Sequence, residues 1–325
     1  MSVPHDKPPG VGLGEKQVAP PVCFRHPGRE TYLRCARCER SICTECMVAA
    51  PVGFHCPECL KEGNRTVREV RTAAGGRTRS RQGVVTVAII VVCVAMYAMQ
   101  SLIGQAFTDR MDLQAMTPHM AALPNSGPIG VAYGEWYRLF TSIFVHESIV
   151  HLGLNMISLW WIGLPVESRL GRSRFLAAFV VCGLAGSAVA YAGLGQYGSA
   201  LGASGAIFGL LGVLTVLAFK EKLDLRPIMA IVVLNVVFDF VEPGISWQDH
   251  LGGFAAGLVL GGAFAYAPRP STAVAWFRNT QNVLSAAAVV LVLGIAAVIV
   301  LLHTGELRAQ AGASALTEQW RLVKR

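Results

Sequence analysis

Charged side chains are scarce in this chain of 325 residues: Asp, Glu, Lys and Arg make up 15% of it, against 53% hydrophobic residues and a mean hydropathy of +0.47. So low a charge content excludes an ordinary soluble protein of this size, because the apolar excess needs lipid to cover it. Acidic residues are scarcer than basic ones, 20 against 28, which leaves a net charge of +8. The arginines sit beside apolar runs, where anionic lipid headgroups account for them, so membrane lipids and no nucleic-acid partner are expected. An apolar core is missing from the opening MSVPHDKPPGVGLGEKQ. That excludes a secretory signal there and leads us to expect the N-terminus in the cytosol. Cysteine is nearly missing from the apolar remainder: seven of nine lie between Cys23 and Cys59, and Cys93 and Cys182 read as packing residues inside apolar runs.

What is present divides the chain. Residues 1–20 are rich in Pro and Gly without periodicity and read as a disordered tail. Residues 21–60 hold the cysteine pairs, and 61–83 form a basic linker with Lys61, Arg65, Arg68, Arg71, Arg77, Arg79 and Arg81. Seven stretches then approach the roughly 20 apolar residues that span hydrocarbon, at about 84–104, 144–164, 175–195, 200–219, 227–243, 248–267 and 281–303. Residues 304–325 remain as a C-terminal tail. Between the first two spans, Gln105 to Trp136 carries three prolines and scattered apolar residues, and is expected to lie partly in the membrane interface. With the basic linker inside, the inner loops hold Arg169, Arg172, Arg174, Lys220, Lys222, Arg226, Arg269 and Arg278, and the outer ones only Arg110 and Arg138. Only the C-terminal tail, with Arg308, Arg321, Lys324 and Arg325, fits its outer side poorly.

The pairs Cys23-x2-His26, Cys35-x2-Cys38, Cys43-x2-Cys46 and Cys56-x2-Cys59 supply eight ligands. That is enough for two tetrahedral zinc sites, and a reducing cytosol argues against disulfides. The spacing resembles a B-box-type finger, which implies that the first and third pairs share one ion and the second and fourth the other. His55 beside Cys56 is an alternative ligand. Without metal so small a module has almost no core, and recognition of a protein partner suits it better than catalysis.

Polar groups in hydrocarbon are expensive, so function is sought among them. They are His146, His151 and Asn155 on the second span, Ser204 on the fourth, Asn235 and Asp239 on the fifth, and Asp249 and His250 on the sixth. Spans two, four and six run from outside to inside, so His151, Asn155, Ser204 and His250 share one depth near the outer face. His151 and Asn155, four apart, stack on one helix face, with His146 about 140° from His151 at the roughly 100° per residue of a helix. A nucleophile, a base and hydrogen-bond donors are the parts acyl transfer needs. Gly202, Gly205 and Gly209 strip the helix around Ser204, and Gly253 and Gly257 do the same beside His250, so the two helices can approach closely. Ser246-Trp247-Gln248-Asp249 reads as a capping box that starts the sixth span, which gives Asp249 a capping role. Asp239 is open among lining a water-filled mouth, pairing with a neighbour and tuning substrate entry.

Gly-x-Ser-Gly with a glycine four residues later, His-x2-Gly-x3-Gly and His-x3-Asn, in that order and spacing, resemble the rhomboid family of intramembrane serine proteases over about residues 84–303. Trp136-Tyr137-Arg138 looks like the family's outer-loop motif, and Glu167 with Arg169 like its structural glutamate–arginine pair. The resemblance implies an all-α polytopic membrane protein with a six-helix core plus one C-terminal transmembrane helix. It also implies a Ser204/His250 dyad without a catalytic cofactor, oxyanion support from His151 and Asn155, and a supporting role for His146. The expected substrates are single-span membrane proteins cut near the outer face of the cell membrane, with the short fifth span as lateral gate. The alternatives are a proteolytically silent scaffold or chaperone on the same fold, against which Ser204 and His250 argue, and a transporter, against which the one-sided clustering of polar residues argues.

Overall fold

The structure, a computed structural model, describes residues 19–66, 83–116, 129–195, 197–241, 246–266 and 275–323. The expected tail, most of the linker, and Pro118, Pro124 and Pro128 lie outside the described residues. The chain forms two compact units, 1–69 and 70–325.

The first unit is built from two small antiparallel hairpins, β1 (Val22–Cys23) with β2 (His26–Glu30) and β3 (Val48–Ala49) with β4 (Phe54–His55), followed by α1 (Pro57–Thr66). Pro57 opens α1, where a proline loses no hydrogen bond and its fixed φ suits the helix. Among the described residues of this unit, Ile42 is the one fully buried apolar side chain that is not a cysteine. Its interior is therefore sulfur rather than hydrocarbon.

The second unit is helical. Its elements are α2 (Val84–Ile103), α3 (Gln105–Met111), β5 (Leu113–Gln114), α4 (Arg138–Thr141), α5 (Ile149–Leu170), α6 (Arg172–Gly193), β6 (Ser199–Ala200), α7 (Ser204–Glu221), α8 (Arg226–Val241), α9 (Trp247–Tyr266) and α10 (Ala275–Val323). Among the described residues, five stretches are long and apolar enough to cross a membrane: α2, α5, α6, α7 and Asn282–Ala313 of α10. With 16 residues α8 is shorter, and the polar start and five glycines of α9 dilute its hydropathy.

Several boundaries differ from those expected, by up to six residues at the end of α5 and the start of α10, and two further differences have a visible cause. The second span begins at Ile149 rather than near 144, because Ser148 caps it, its hydroxyl accepting the His151 N–H at 3.1 Å. The last helix does not stop at His303. Thr304-Gly-Glu-Leu-Arg-Ala-Gln-Ala contains good helix formers and no proline, so α10 continues through residues expected as a tail. The extension is anchored: the Tyr191 and Thr304 hydroxyls lie 2.9 Å apart and Arg308 Nε donates to the Ala132 carbonyl at 2.7 Å.

α7 lies at the centre, packed on α9, α6 and α5. A Cβ placed on Gly253 would fall on the Gly205 carbonyl, and one on Gly257 on the Gly209 carbonyl. The two backbones thus touch along a stripe that only glycine permits. Cys182 fills the notch at Gly209 from α6, and Cys93 is buried in the same core. Between α2 and α5, Arg138 is fully buried and organises the connecting segment. Its Nε donates to Glu135 at 2.7 Å, and its Nη1 donates to the Asp109 and Asp112 carbonyls at 2.7 and 3.0 Å and to the Asp112 carboxylate at 3.2 Å. Trp136, beside it, is exposed. The β5–β6 pairing, Leu113 with Ala200 and Gln114 with Ser199, ties this segment to the strand that leads into α7.

Candidate active site and metal clusters

Ser204 is the first residue of α7, His250 the fourth of α9, and His151 the third of α5, so each candidate group sits at the N-terminal end of its helix. The chain enters α7 through Gly202, whose N–H donates to the Ser142 carbonyl at 2.9 Å. Gly202 has φ +127, and a Cβ there would stand 2.9 Å from both Cε1 and Nε2 of His151 and 3.8 Å from Ser204 Oγ. Glycine is therefore required twice, by backbone conformation and by the imidazole that presses against it beside the serine.

His250 is buried, its ring stacked on Phe208 with centroids 4.1 Å apart and planes 8° from parallel. Phe208 is one turn below Ser204, so the serine's own helix supplies the platform that orients the imidazole. Asn155 is buried one turn below His151, its Nδ2 donating to the His151 carbonyl at 3.0 Å, which fixes its amide. His146 lies before α5 rather than on it, so the helical angle expected for it does not apply; its ring meets that of His151 edge-on at 5.3 Å. Gln100 clamps the His146 backbone, accepting its N–H at 3.0 Å and donating to its carbonyl at 3.1 Å.

Asp249 departs from its expected role. Its N–H meets the Ser246 carbonyl and hydroxyl at 3.0 and 3.4 Å, as at a helix start, but its carboxylate turns toward α7. The Ser204 hydroxyl donates to Asp249 Oδ2 at 3.5 Å, and the carboxylate lies against Gly205. The Asp249 side chain thus sits at the start of the serine's helix.

Glu167 and Arg169 do not pair with each other. Glu167 is buried and caps α2, accepting the Val85 N–H at 3.1 Å and the Thr86 N–H and hydroxyl at 2.8 Å each. Arg169 bridges to Glu221 at the end of α7 at 3.1 Å. Two residues apart on one helix, their side chains point to different neighbours. Asn235 donates to Ile231 on its own helix at 2.8 Å and takes no part in the cluster. Asp239 falls on α8, its side chain outside the described residues. Sequence reading missed Ser148, Gln100 and Phe208; the three-residue spacing of Ser148 from His151 and the four-residue spacing of Phe208 from Ser204 were signals for two of them.

In the first unit the ligand atoms of Cys23, His26, Cys43 and Cys46 all lie within 4.8 Å of one another, as do those of Cys35, Cys38, Cys56 and Cys59. Nδ1 of His26 is 3.3, 3.4 and 3.9 Å from the sulfurs of Cys43, Cys46 and Cys23, and the Cys38 and Cys56 sulfurs are 3.7 Å apart. Zn–S bonds of about 2.3 Å in a tetrahedron put sulfurs about 3.8 Å apart, so both clusters have room for such an ion. His55 belongs to neither, since each already has four ligands. Arg40 Nε donates to the Cys38 sulfur at 3.3 Å and holds that thiol below the ordinary cysteine range.

Comparison with known proteins bears on the helical unit. A family model described as the rhomboid domain matches residues 133–267, which contain His146, His151, Asn155, Ser204, Asp249 and His250. The rhomboid-family protein YdcA of Bacillus subtilis is 34% identical over 137 residues, 41% of this chain and 69% of YdcA. The chain belongs to the rhomboid family. It is a multi-pass membrane protein. It is also 40% identical over 142 residues to the rhomboid protease GluP of Bacillus subtilis and 32% identical over 152 residues to the rhomboid-type serine protease 2 of Emericella nidulans. These stretches are 42% and 43% of this chain, and cover only 27% and 30% of those two rhomboid relatives. The metal-cluster unit lies outside the matched rhomboid domain.

Proposed function

We propose that this rhomboid is an intramembrane serine endopeptidase that cuts single-span membrane proteins near the outer face of the cell membrane. The observation that supports the reading is that Ser204, His151 and His250 stand at the N-terminal ends of α7, α5 and α9, with Gly202 packed between His151 and Ser204 and with His250 stacked on Phe208 of α7. His250 takes the Ser204 hydroxyl proton as the oxygen attacks a substrate carbonyl, and later gives it to the leaving amine. The oxyanion is held by His151, Asn155 and the backbone N–H groups at the start of α7. Water entering from outside resolves the acyl-enzyme.

A helical substrate must unwind locally to offer its carbonyl, so helix-destabilising residues favour cleavage. α8, short and packed mainly on α9 with much of its surface exposed, is the lateral gate. The first unit, on the cytoplasmic side, holds two structural zinc ions in a B-box-like finger and recognises a protein partner; the chemistry at Ser204 needs no cofactor.

The test is covalent labelling of the purified full chain with a fluorophosphonate. Wild type should gain one adduct that maps to Ser204, and Ser204→Ala and His250→Ala should gain none. A wild type without adduct, or one labelled elsewhere, sinks the reading.

A further inference from the structure

Asp249 contacts the proposed nucleophile, although a serine–histidine dyad has no place for it. Its carboxylate is wedged between two helices: a Cβ on Gly186 of α6 would stand 2.5 Å from Oδ1, and one on Gly205 of α7 would overlap the same group. Glycines at both positions leave the space that the carboxylate fills. From there it receives the Ser204 hydroxyl at 3.5 Å and lies against the Gly205 backbone. A carboxylate at the first turn of a helix is favourably placed toward the helix dipole, so it fixes the N-terminus of α7 as well as the side chain there.

We infer that Asp249 is the positioning residue for Ser204, holding the serine hydroxyl and the first turn of α7 in register with His250. The inference rests on the reading of Ser204 as nucleophile. Asp249 accepts the resting Ser204 hydroxyl and seats the first turn of α7; the single O–H proton turns from it to His250 when the serine attacks, so Asp249 itself takes no proton. Acceptor capacity is what it contributes, and the amide oxygen of asparagine retains it, whereas alanine deletes it. Adjacent to His250 in sequence, Asp249 is carried by the same turn of α9, so one helix carries both the proposed base and the acceptor.

The experiment compares wild type, Asp249→Asn, Asp249→Ala and Gly186→Ala in the full chain, reading kcat and KM on a single-span substrate, the rate of fluorophosphonate labelling, and the melting temperature. Asp249→Asn should stay within about threefold of wild type, while Asp249→Ala should lose roughly tenfold or more in kcat and in labelling rate, with KM little changed. Gly186→Ala keeps the carboxylate but pushes it from its seat, so it should slow labelling as well; it decides the matter if Asp249→Ala fails to fold. Equal rates for Asp249→Ala and wild type, or a loss in Asp249→Asn as large as in Asp249→Ala, overturns the inference and leaves the protease reading intact. Absence of labelling in wild type overturns both.

Discussion

Ser204 is placed by neighbours rather than by its own side chain: Gly202 lets His151 approach, Phe208 backs His250, and Asp249 receives the hydroxyl. Removing the platform should act on the base alone. Phe208→Ala is expected to lower kcat by about tenfold while Phe208→Tyr, which keeps the ring, stays close to wild type; equal activity in all three would disconnect Phe208 from the site. Arg138 poses the opposite case, a buried charge whose role is structural. Arg138→Met leaves the buried Asp112 carboxylate without its guanidinium and should cost about 3 kcal/mol, read as a lowered melting temperature. The places of His151, Asn155, Ser204 and His250 near the starts of three different helices could be read from sequence, because the apolar runs locate those helices without any partner. The turn of the Asp249 carboxylate toward α7 could not, since it depends on where α6 and α7 place two glycines relative to α9. Nor could the separate partners of Glu167 and Arg169, which lie on α2 and α7, more than fifty residues away in the chain.

The α7–α9 pair is the element that makes the site. Its contact is backbone on backbone, which no rotamer change can relieve. Gly253→Ala and Gly257→Ala are therefore expected to destabilise by about 3 kcal/mol and to abolish activity. Gly262→Ala is the control, because a Cβ there meets nothing within 4 Å and should leave melting temperature and activity unchanged. Comparable damage from Gly262→Ala would mean that propensity or lipid contact, not the stripe, governs these positions. Hydropathy revealed the order of the long helices, since a run of apolar residues needs no partner to be recognised, although among the described residues five rather than seven are long and apolar enough to cross a membrane. It did not reveal where α5 begins, which Ser148 sets through one hydrogen bond, or that α10 runs beyond its apolar part to Val323. That extension is held by contacts of Thr304 and Arg308 with Tyr191 and Ala132, residues distant in sequence.

At the scale of the whole molecule, two units rest on different physics. The helical unit has an extended apolar core, and the first has an interior of sulfur with Ile42 as its main hydrocarbon. Metal analysis of the full chain should find two zinc ions, and Cys43→Ser should lose one. A chelator should unfold residues 22–66 and leave the helical unit folded, and metal affinity should fall on acidification as protons compete for the thiolates. Metal content unaltered by Cys43→Ser would refute the assignment. This half of the molecule was legible because paired Cys-x2-Cys spacing carries its own geometry.

Ser204, activated by His250, is proposed to cut a peptide bond within or beside the membrane. This cleavage is tested most directly by reconstituting the full chain in vesicles with a single-span substrate and following product by mass. Wild type is expected to release one defined fragment cut near the outer boundary of the substrate's span, with Ser204→Ala and His250→Ala releasing none although folded. The same fragment from wild type and both variants, or no fragment from any, would contradict it.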